Sequence, residues 1–402
     1  MSAVSVALMA HALPVEQFGL IVLLHTYVKV VKGFFNFNTY ETIVKYGVPL
    51  QDSDNEPGLK SLLRTTISID FASTFLATLV GVAAVPVTAG LLHWDEQVTQ
   101  WAWFYTLILI TTGVNTSNGI LRLYDRFDAL GVQYTIQPAV RLLLIVLAWA
   151  VDGGMLMFLL AWGTGYCAGN LYLLIRGQLE LRTHLRTPFL EGYQPREIFN
   201  WDPDFWRFIG IVYWQTNLDL IPKQVSTLMA GSLLGPAAAG LFRLAREIQT
   251  ILNRPAEMLS NVLFPDLTRA WLADKSSFLK LAYRTSAIAG GFGLLIVVFA
   301  WFAGEWILAL IGESYLPAAP LMVLLLLAAS FDLASAPLRS SAYAMGNAAI
   351  LLRIHILGAA VYVVLFYLMT IFTGLIGPGL ASVLTSLMIF SLTAKLMNRR
   401  VR

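Results

Sequence analysis

Runs of about twenty apolar residues recur from one end of this 402-residue chain to the other, and no other feature limits its fold so strongly. A helix rising ~1.5 Å per residue needs about that many residues to cross the ~30 Å hydrocarbon core of a bilayer. Inside that core every backbone N–H and C=O must be bonded within the protein, so only helices or closed barrels can span it, and long continuous apolar runs specify helices. Composition agrees: 57% of residues are hydrophobic and 13% charged, against about 25% charged in a soluble domain. The fold class expected is an all-α polytopic membrane protein.

The runs predict about twelve transmembrane helices, near residues 1–13, 18–48, 62–92, 98–121, 134–151, 154–176, 205–231, 237–264, 280–303, 316–338, 348–371 and 375–396. The first is only about half a span and is expected to be truncated. It lacks a basic n-region and runs into His11 and Pro14, so it does not read as a cleaved signal peptide. Basic residues alternate in the connections: Lys60 and Arg64, Arg122 and Arg126, Arg176 to Arg207, Arg269 to Arg284, Arg339 and Arg353, and Lys395 to Arg402 fall on one side. The intervening turns, such as Leu13–Gln17, His93–Gln97 and Gly304–Tyr315, contain no Lys or Arg. The positive-inside rule therefore places the former set and the C-terminus in the cytoplasm.

The longest polar stretch, 177–204, divides the spans six and six. The expected organisation is an N-terminal six-helix lobe (1–176), a cytoplasmic linker (177–204) and a C-terminal six-helix lobe (205–402). Leu13, Gly19 and Leu20 recur at the same spacing as Leu234, Gly240 and Leu241, and Leu121-Arg122 recurs as Leu338-Arg339. Such echoes fit a parallel repeat, an architecture in which transporters place their site at the repeat interface.

Within these apolar runs stand Lys29, Lys32, Lys223, Arg243 and Arg246. A basic side chain at the bilayer centre costs ~2.5–3.5 kcal/mol even on the lenient insertion scale, so five would forfeit roughly 12–18 kcal/mol if they faced lipid. Such residues should face protein or water. At 100° per residue, His25, Lys29, Lys32 and Asn36 share a stripe about 60° wide. Arg243, Arg246, Glu247, Thr250, Asn253, Arg254 and Glu257 share an arc of roughly 120° on a later helix, and Gln215, Asp219 and Lys223 follow one another at i, i+4 spacing. A structural alternative is that Asp219–Lys223 and Arg243–Glu247 are helix-internal ion pairs while Lys29 and Lys32 snorkel. Pairing leaves an excess of cations, which is what a phosphate-bearing substrate needs, Arg gripping bidentately and Lys as a point charge. The candidate substrate-binding residues are therefore Lys29, Lys32, Lys223, Arg243 and Arg246, with His25, Asn36, Gln215, Asp219 and Glu247 as polar cavity residues. The intramembrane acids Asp70 and Asp332 are candidates for a coupling proton or cation, or are simply hydrogen-bonded to neighbouring helices.

Other features carry less. Cys167 is the only cysteine, which excludes a disulfide framework and a Cys-based metal site; no metal or cofactor is expected. The net charge of +3 is spread over spans and short loops and gives no nucleic-acid signal. Asp52-Ser53-Asp54 has the form of a glycosyltransferase acidic pair but stands in a polar turn. Gly231-xxx-Gly235 has the form of a helix-dimer motif, but the Pro236 that follows marks a helix stop and turn. No nucleophile–base constellation stands out.

Leu13-Pro14-Val15-Glu16-Gln17-Phe18-Gly19-Leu20 resembles the first external turn of bacterial polysaccharide (O-antigen, Wzx-type) flippases, where a Leu-Gly-Pro-Glu-x-Phe-Gly pattern is common. Leu233-Leu234-Gly235-Pro236, then Gly240-Leu241, Ala245-Arg246 and Val262-Leu263-Phe264-Pro265, resemble the start of the second half of that family. The resemblance implies the multidrug/oligosaccharidyl-lipid/polysaccharide exporter superfamily: twelve helices, two lobes and a V-shaped cavity of alternating access. It also implies a cationic cavity that receives the diphosphate of a polyprenyl-linked oligosaccharide, with Lys29, Lys32, Lys223, Arg243 and Arg246 as the positions that fit. The expected partners are that lipid, membrane lipid, and a polysaccharide polymerase or glycosyltransferases; the expected location is a bacterial inner membrane. Rival readings are a multidrug exporter, which would favour acids in its cavity, and a membrane enzyme of polysaccharide assembly.

Overall fold

A computed structural model describes residues 2–189, 191, 201–220 and 224–401. All regular structure among them is helical. In chain order the helices are α1 (Ser2–Ala12), α2 (Val15–Phe34), α3 (Thr39–Asp52), α4 (Glu56–Leu92), α5 (Glu96–Thr106), α6 (Asn115–Leu123), α7 (Phe127–Ala150) and α8 (Met155–His184). They continue as α9 (Pro203–Leu220), α10 (Ser226–Leu234), α11 (Pro236–Ala273), α12 (Lys275–Ala309), α13 (Ala319–Ala344), α14 (Ala348–Thr373) and α15 (Gly377–Val401). Among the described residues, six helices are long and apolar enough to cross a membrane, or seven if α2 and α3 form one bent span.

Local sequence explains the helix ends. Asn55 caps α4 by accepting the Gly58 N–H at 3.0 Å, and Asp95 caps α5 by accepting the Val98 N–H at 2.7 Å, each supplying an acceptor to an amide that the helix leaves unbonded. Gly235, at φ 87°, ends α10, and Pro236 opens α11, where its missing N–H costs nothing. The Gly231–Gly235 pattern is thus a helix stop. Large apolar side chains stand exposed on α4 (Phe71, Phe75, Leu79) and α12 (Phe299, Phe302, Trp306), as surfaces that belong against lipid.

Two expected spans are broken. The run 18–48 divides at residues 35–38, and α2 and α3 meet at a bend of 40°. Asn38 there adopts the left-handed conformation, φ 46° and ψ 46°, which an Asn tolerates because its short amide can bond locally. The run 98–121 passes from α5 through a 3₁₀ segment, Leu107–Thr112, into α6. Elsewhere the helices outlast the apolar runs: α8 continues to His184 and α11 to Ala273, because helical hydrogen bonding does not stop where the hydrocarbon does.

The chain divides into two compact units, residues 1–9 with 24–220, and 10–23 with 221–402. In the first, Phe205 and Ile209 of α9 join Ile43, Leu62, Ile120 and Leu181 in one apolar cluster. The residues after α8 are strapped to the same unit: Arg64 donates to the carbonyls of Phe189 and Glu191, each at 2.6 Å, Arg186 pairs with Asp54 at 3.1 Å, and Thr187 bonds both Lys60 and Glu56. Asp54 is therefore an exposed loop acid. In the second unit, Phe242, Leu325, Leu333, Tyr362 and Phe366 form the core. The N-terminal half of α2 belongs here, with Phe18 edge-on to Tyr315 at 5.9 Å. A Cβ on Gly19 would fall on the Pro236 carbonyl, and one on Gly240 would lie 3.2 Å from the Gly19 Cα. The glycines that echo each other in sequence are packed together.

Candidate functional site

The first unit carries His25, Lys29, Lys32 and Asn36 along α2 and into its break. His25 is buried, bonded through Nδ1 to the Tyr105 hydroxyl at 2.9 Å, and packed against the rings of Trp162 at 5.0 Å and Tyr166 at 5.5 Å. Lys32 lies 5.9 Å from the Tyr166 ring centroid. It also lines a small cleft with Asn36, Ser73, Thr74, Thr112 and Asn115. Lys29 is partly buried one turn earlier.

Arg141, a residue the sequence analysis passed over, stands in the same unit. It lies in the middle of α7, is 6% exposed, and places its guanidinium 5.3 Å from the Trp162 ring. The signal was available as a lone arginine inside the apolar run 134–151. Tyr105, Trp162 and Tyr166 had none, since aromatic residues in spans are ordinary and only the packing gathers them around His25.

The break itself is held by amides. Asn115 donates to Asn36 at 2.7 Å, Asn36 to Asn38 at 2.8 Å, and Asn38 to the Thr216 hydroxyl of α9 at 2.7 Å. Asp70, on α4, accepts from Thr39 at the start of α3 and from Thr116 in the first turn of α6.

The second unit carries the basic stripe of α11. Arg243 donates to Glu247 at 3.0 Å, so the helix-internal pair considered from sequence is formed. Arg246 donates to the Ser226 hydroxyl at 2.9 Å and lies 5.5 Å from the Phe242 ring. Asp332 on α13 has Arg339 and His355 as neighbours and bonds Ser386. Lys223 lies outside the described residues, as do the side chains of Gln215, Asp219, Asn253, Arg254 and Glu257. Among the described residues no group of three or more His, Cys, Asp or Glu side chains could hold a metal ion.

Solved structures share this fold. A multidrug resistance MATE family transporter of the MOP superfamily, in an inward-facing conformation, matches with a TM-score of 0.73 over 98% of this chain and 93% of its own, at 14% identity. The lipid II flippase MurJ, inward closed, matches with a TM-score of 0.71 over 99% of this chain and 86% of its own, at 11% identity. The fold is that of the MOP transporters. Among curated proteins, the inner membrane protein YghQ of Escherichia coli (strain K12) is 28% identical over 316 residues, which are 75% of this chain and 85% of that protein. No family model matches the chain. The chain is a multi-pass membrane protein whose fold is shared by a multidrug resistance MATE family transporter and the lipid II flippase MurJ.

Proposed function

We propose that this protein is a flippase that moves a polyprenyl-diphosphate-linked oligosaccharide across a bacterial inner membrane for surface polysaccharide assembly, with its C-terminus in the cytoplasm. The observation that carries the reading is the sign of the intramembrane charge. Lys29, Lys32 and Arg141 in the first unit and Arg243 and Arg246 in the second stand against Asp70, Glu247 and Asp332, and Asp70 is engaged by Thr39 and Thr116. A diphosphate is the ligand such an excess suits, because guanidinium and ammonium groups make short charge-assisted bonds to its oxygens. Lys29, Lys32, Lys223, Arg243 and Arg246 are the proposed substrate-binding residues, with His25, Asn36, Gln215, Asp219 and Glu247 as their polar surroundings. The lipid-linked substrate of MurJ, whose fold this chain shares, supports the same substrate class.

Export of drugs is the second reading, favoured by the multidrug neighbours. Cationic drugs call for acidic binding groups, and the charge balance is against them. Expression in two strains separates the readings: one lacking its own polysaccharide flippase, the other lacking its drug exporters. Restored surface polysaccharide without raised drug tolerance is expected. Raised tolerance to cationic drugs with no polysaccharide restored would replace the flippase reading with the exporter one.

A further inference from the structure

Asp70 lies near the middle of α4 and is 4% exposed. Its Oδ1 accepts from Thr39 Oγ1 at 2.8 Å, and its Oδ2 accepts from the Thr116 backbone N–H at 2.6 Å and from Thr116 Oγ1 at 2.8 Å, with the Asn115 side chain as a further hydrogen-bonding neighbour. These donors come from the two places in the first unit where a span breaks. Thr39 opens α3 directly after the left-handed Asn38, and Thr116 sits in the first turn of α6, just beyond the 3₁₀ segment. One carboxylate thus ties together the first turns of two helices, where amides lack intrahelical partners and the dipole is positive.

We propose that Asp70 is a reversible proton site joining these two breaks, and that it, in preference to Asp332, binds the proton coupled to transport. The coupling rests on the function proposed above; the proton site does not. The hydrogen-bond inventory shows how both charge states are satisfied. Oδ2 faces a backbone N–H, which can only donate, so a proton arriving from water goes to Oδ1. Thr39 then accepts from the new Oδ1–H and turns its own hydroxyl proton towards Thr116 Oγ1, 3.5 Å away, while Oδ2 keeps both bonds from Thr116. A threonine hydroxyl serves equally as donor and acceptor, so neither state leaves a buried polar atom stranded. Binding the proton replaces charge-assisted bonds by neutral ones of roughly half the strength, which loosens the starts of α3 and α6 together.

The surroundings fit this role. Ser73 Oγ donates to the Asp70 carbonyl at 3.0 Å and also lines the small cleft shared with Asn36, Thr74, Ala77 and Asn115, about one helical turn along α4 from Asp70. On α3, α6 and α4 the charged groups are engaged elsewhere. On α3, Glu41 accepts from Tyr40 and Lys45 lies 3.9 Å from the Phe208 ring centroid. On α6, Arg122 bonds Asn118; on α4 itself, Arg64 bonds the carbonyls after α8. On α2, Lys32 lines the cleft and Lys29 stands one turn behind it, while the 3₁₀ segment carries no charge. Asp332, in contrast, has the fixed charge of Arg339 among its neighbours.

Infrared difference spectroscopy of the purified full chain in nanodiscs, titrated with acid, reads carboxyl protonation directly and needs no substrate. A carboxylic C=O band that titrates reversibly should be lost in Asp70→Asn and kept in Asp332→Asn, since Asn can donate to Thr39 and accept from Thr116 as the protonated acid would. Thr39→Val is the second variant. It removes the donor to the ionised form and should move the band's midpoint to higher pH by about one unit, the difference between a charge-assisted bond and a neutral one. A band lost only in Asp332→Asn, no titrating band, or an unmoved midpoint in Thr39→Val would overturn the proton site. If the band behaves as expected but Asp70→Asn restores surface polysaccharide with the pH dependence of the unmodified protein, the coupling is overturned while the flippase reading stands.

Discussion

Arg246 shows how far a residue can be read in isolation. Its position in an apolar run marks it as a side chain that must face protein or water, and its place over Phe242, four residues earlier on α11, follows from helical spacing, but its bond to Ser226 of α10 comes from packing that the sequence does not align. If it grips the substrate phosphate, Arg246→Ala removes a charge-assisted contact worth ~1.5–3 kcal/mol, a loss of roughly 10- to 150-fold in transport. Arg246→Lys should keep part of the activity, since the charge survives and the planar fork does not. Complementation of a flippase-deficient strain, normalised to protein level, measures both. Full export by the Ala variants of both Arg243 and Arg246 would show the stripe to be structural. Gly19 is a simpler case. Gly19→Ala puts a methyl group on the Pro236 carbonyl, and forcing backbone apart in a packed interior costs about 1–3 kcal/mol. Gly90→Ala, with nothing within 4 Å of the new atom, should be neutral or stabilise α4 by up to ~1 kcal/mol. Thermal unfolding of the purified variants in detergent should rank them in that order.

At the scale of elements, the long helices were legible because their apolar runs are continuous, whereas the breaks were not. Residues 35–38 carry no proline, and Asn38 is an ordinary polar residue until Thr216 and Asn36 are brought to its amide. Asn38→Ala should destabilise the first unit by more than Asn38→Gly: both lose the amide bonds, but Ala also bears ~1–2 kcal/mol for the left-handed backbone. Equal unfolding midpoints for the two would mean that the backbone there relaxes. The strap after α8 gives a second contrast. Arg186 and Asp54 are 72% and 73% exposed in their side chains, so Arg186→Ala should change stability by less than about 1 kcal/mol. Arg64, at 6% exposure, donates to the carbonyls of Phe189 and Glu191, and Arg64→Ala removes these bonds from a charged donor at a cost of about 1.5–3 kcal/mol. Faster tryptic cleavage at Arg186 in Arg64→Ala than in the unmodified chain is the expected readout.

For the whole molecule, the distribution of Lys and Arg among the connections predicts which ends face the cytoplasm. In a Cys167→Ser background, a membrane-impermeant maleimide should label Gln97→Cys in intact cells and Thr183→Cys only after lysis; both positions are exposed on the protein. Labelling of Thr183→Cys in intact cells would reverse the orientation and with it the direction of transport.

What the sequence determined by itself is what depends on composition over a span: the all-α class, the apolar runs long enough to cross a bilayer, and the basic residues that stand inside them. Those follow from a local rule, the free energy of moving a run of side chains and its backbone into hydrocarbon. The tertiary structure decided what depends on contacts between distant segments. It assigned α9 to the first unit and the start of α2 to the second, gathered Tyr105, Trp162 and Tyr166 around His25, and set Asp70 between the first turns of α3 and α6. A hydropathy pattern cannot contain these facts, because it records how each segment meets the membrane and is silent on which face of one helix meets which face of another.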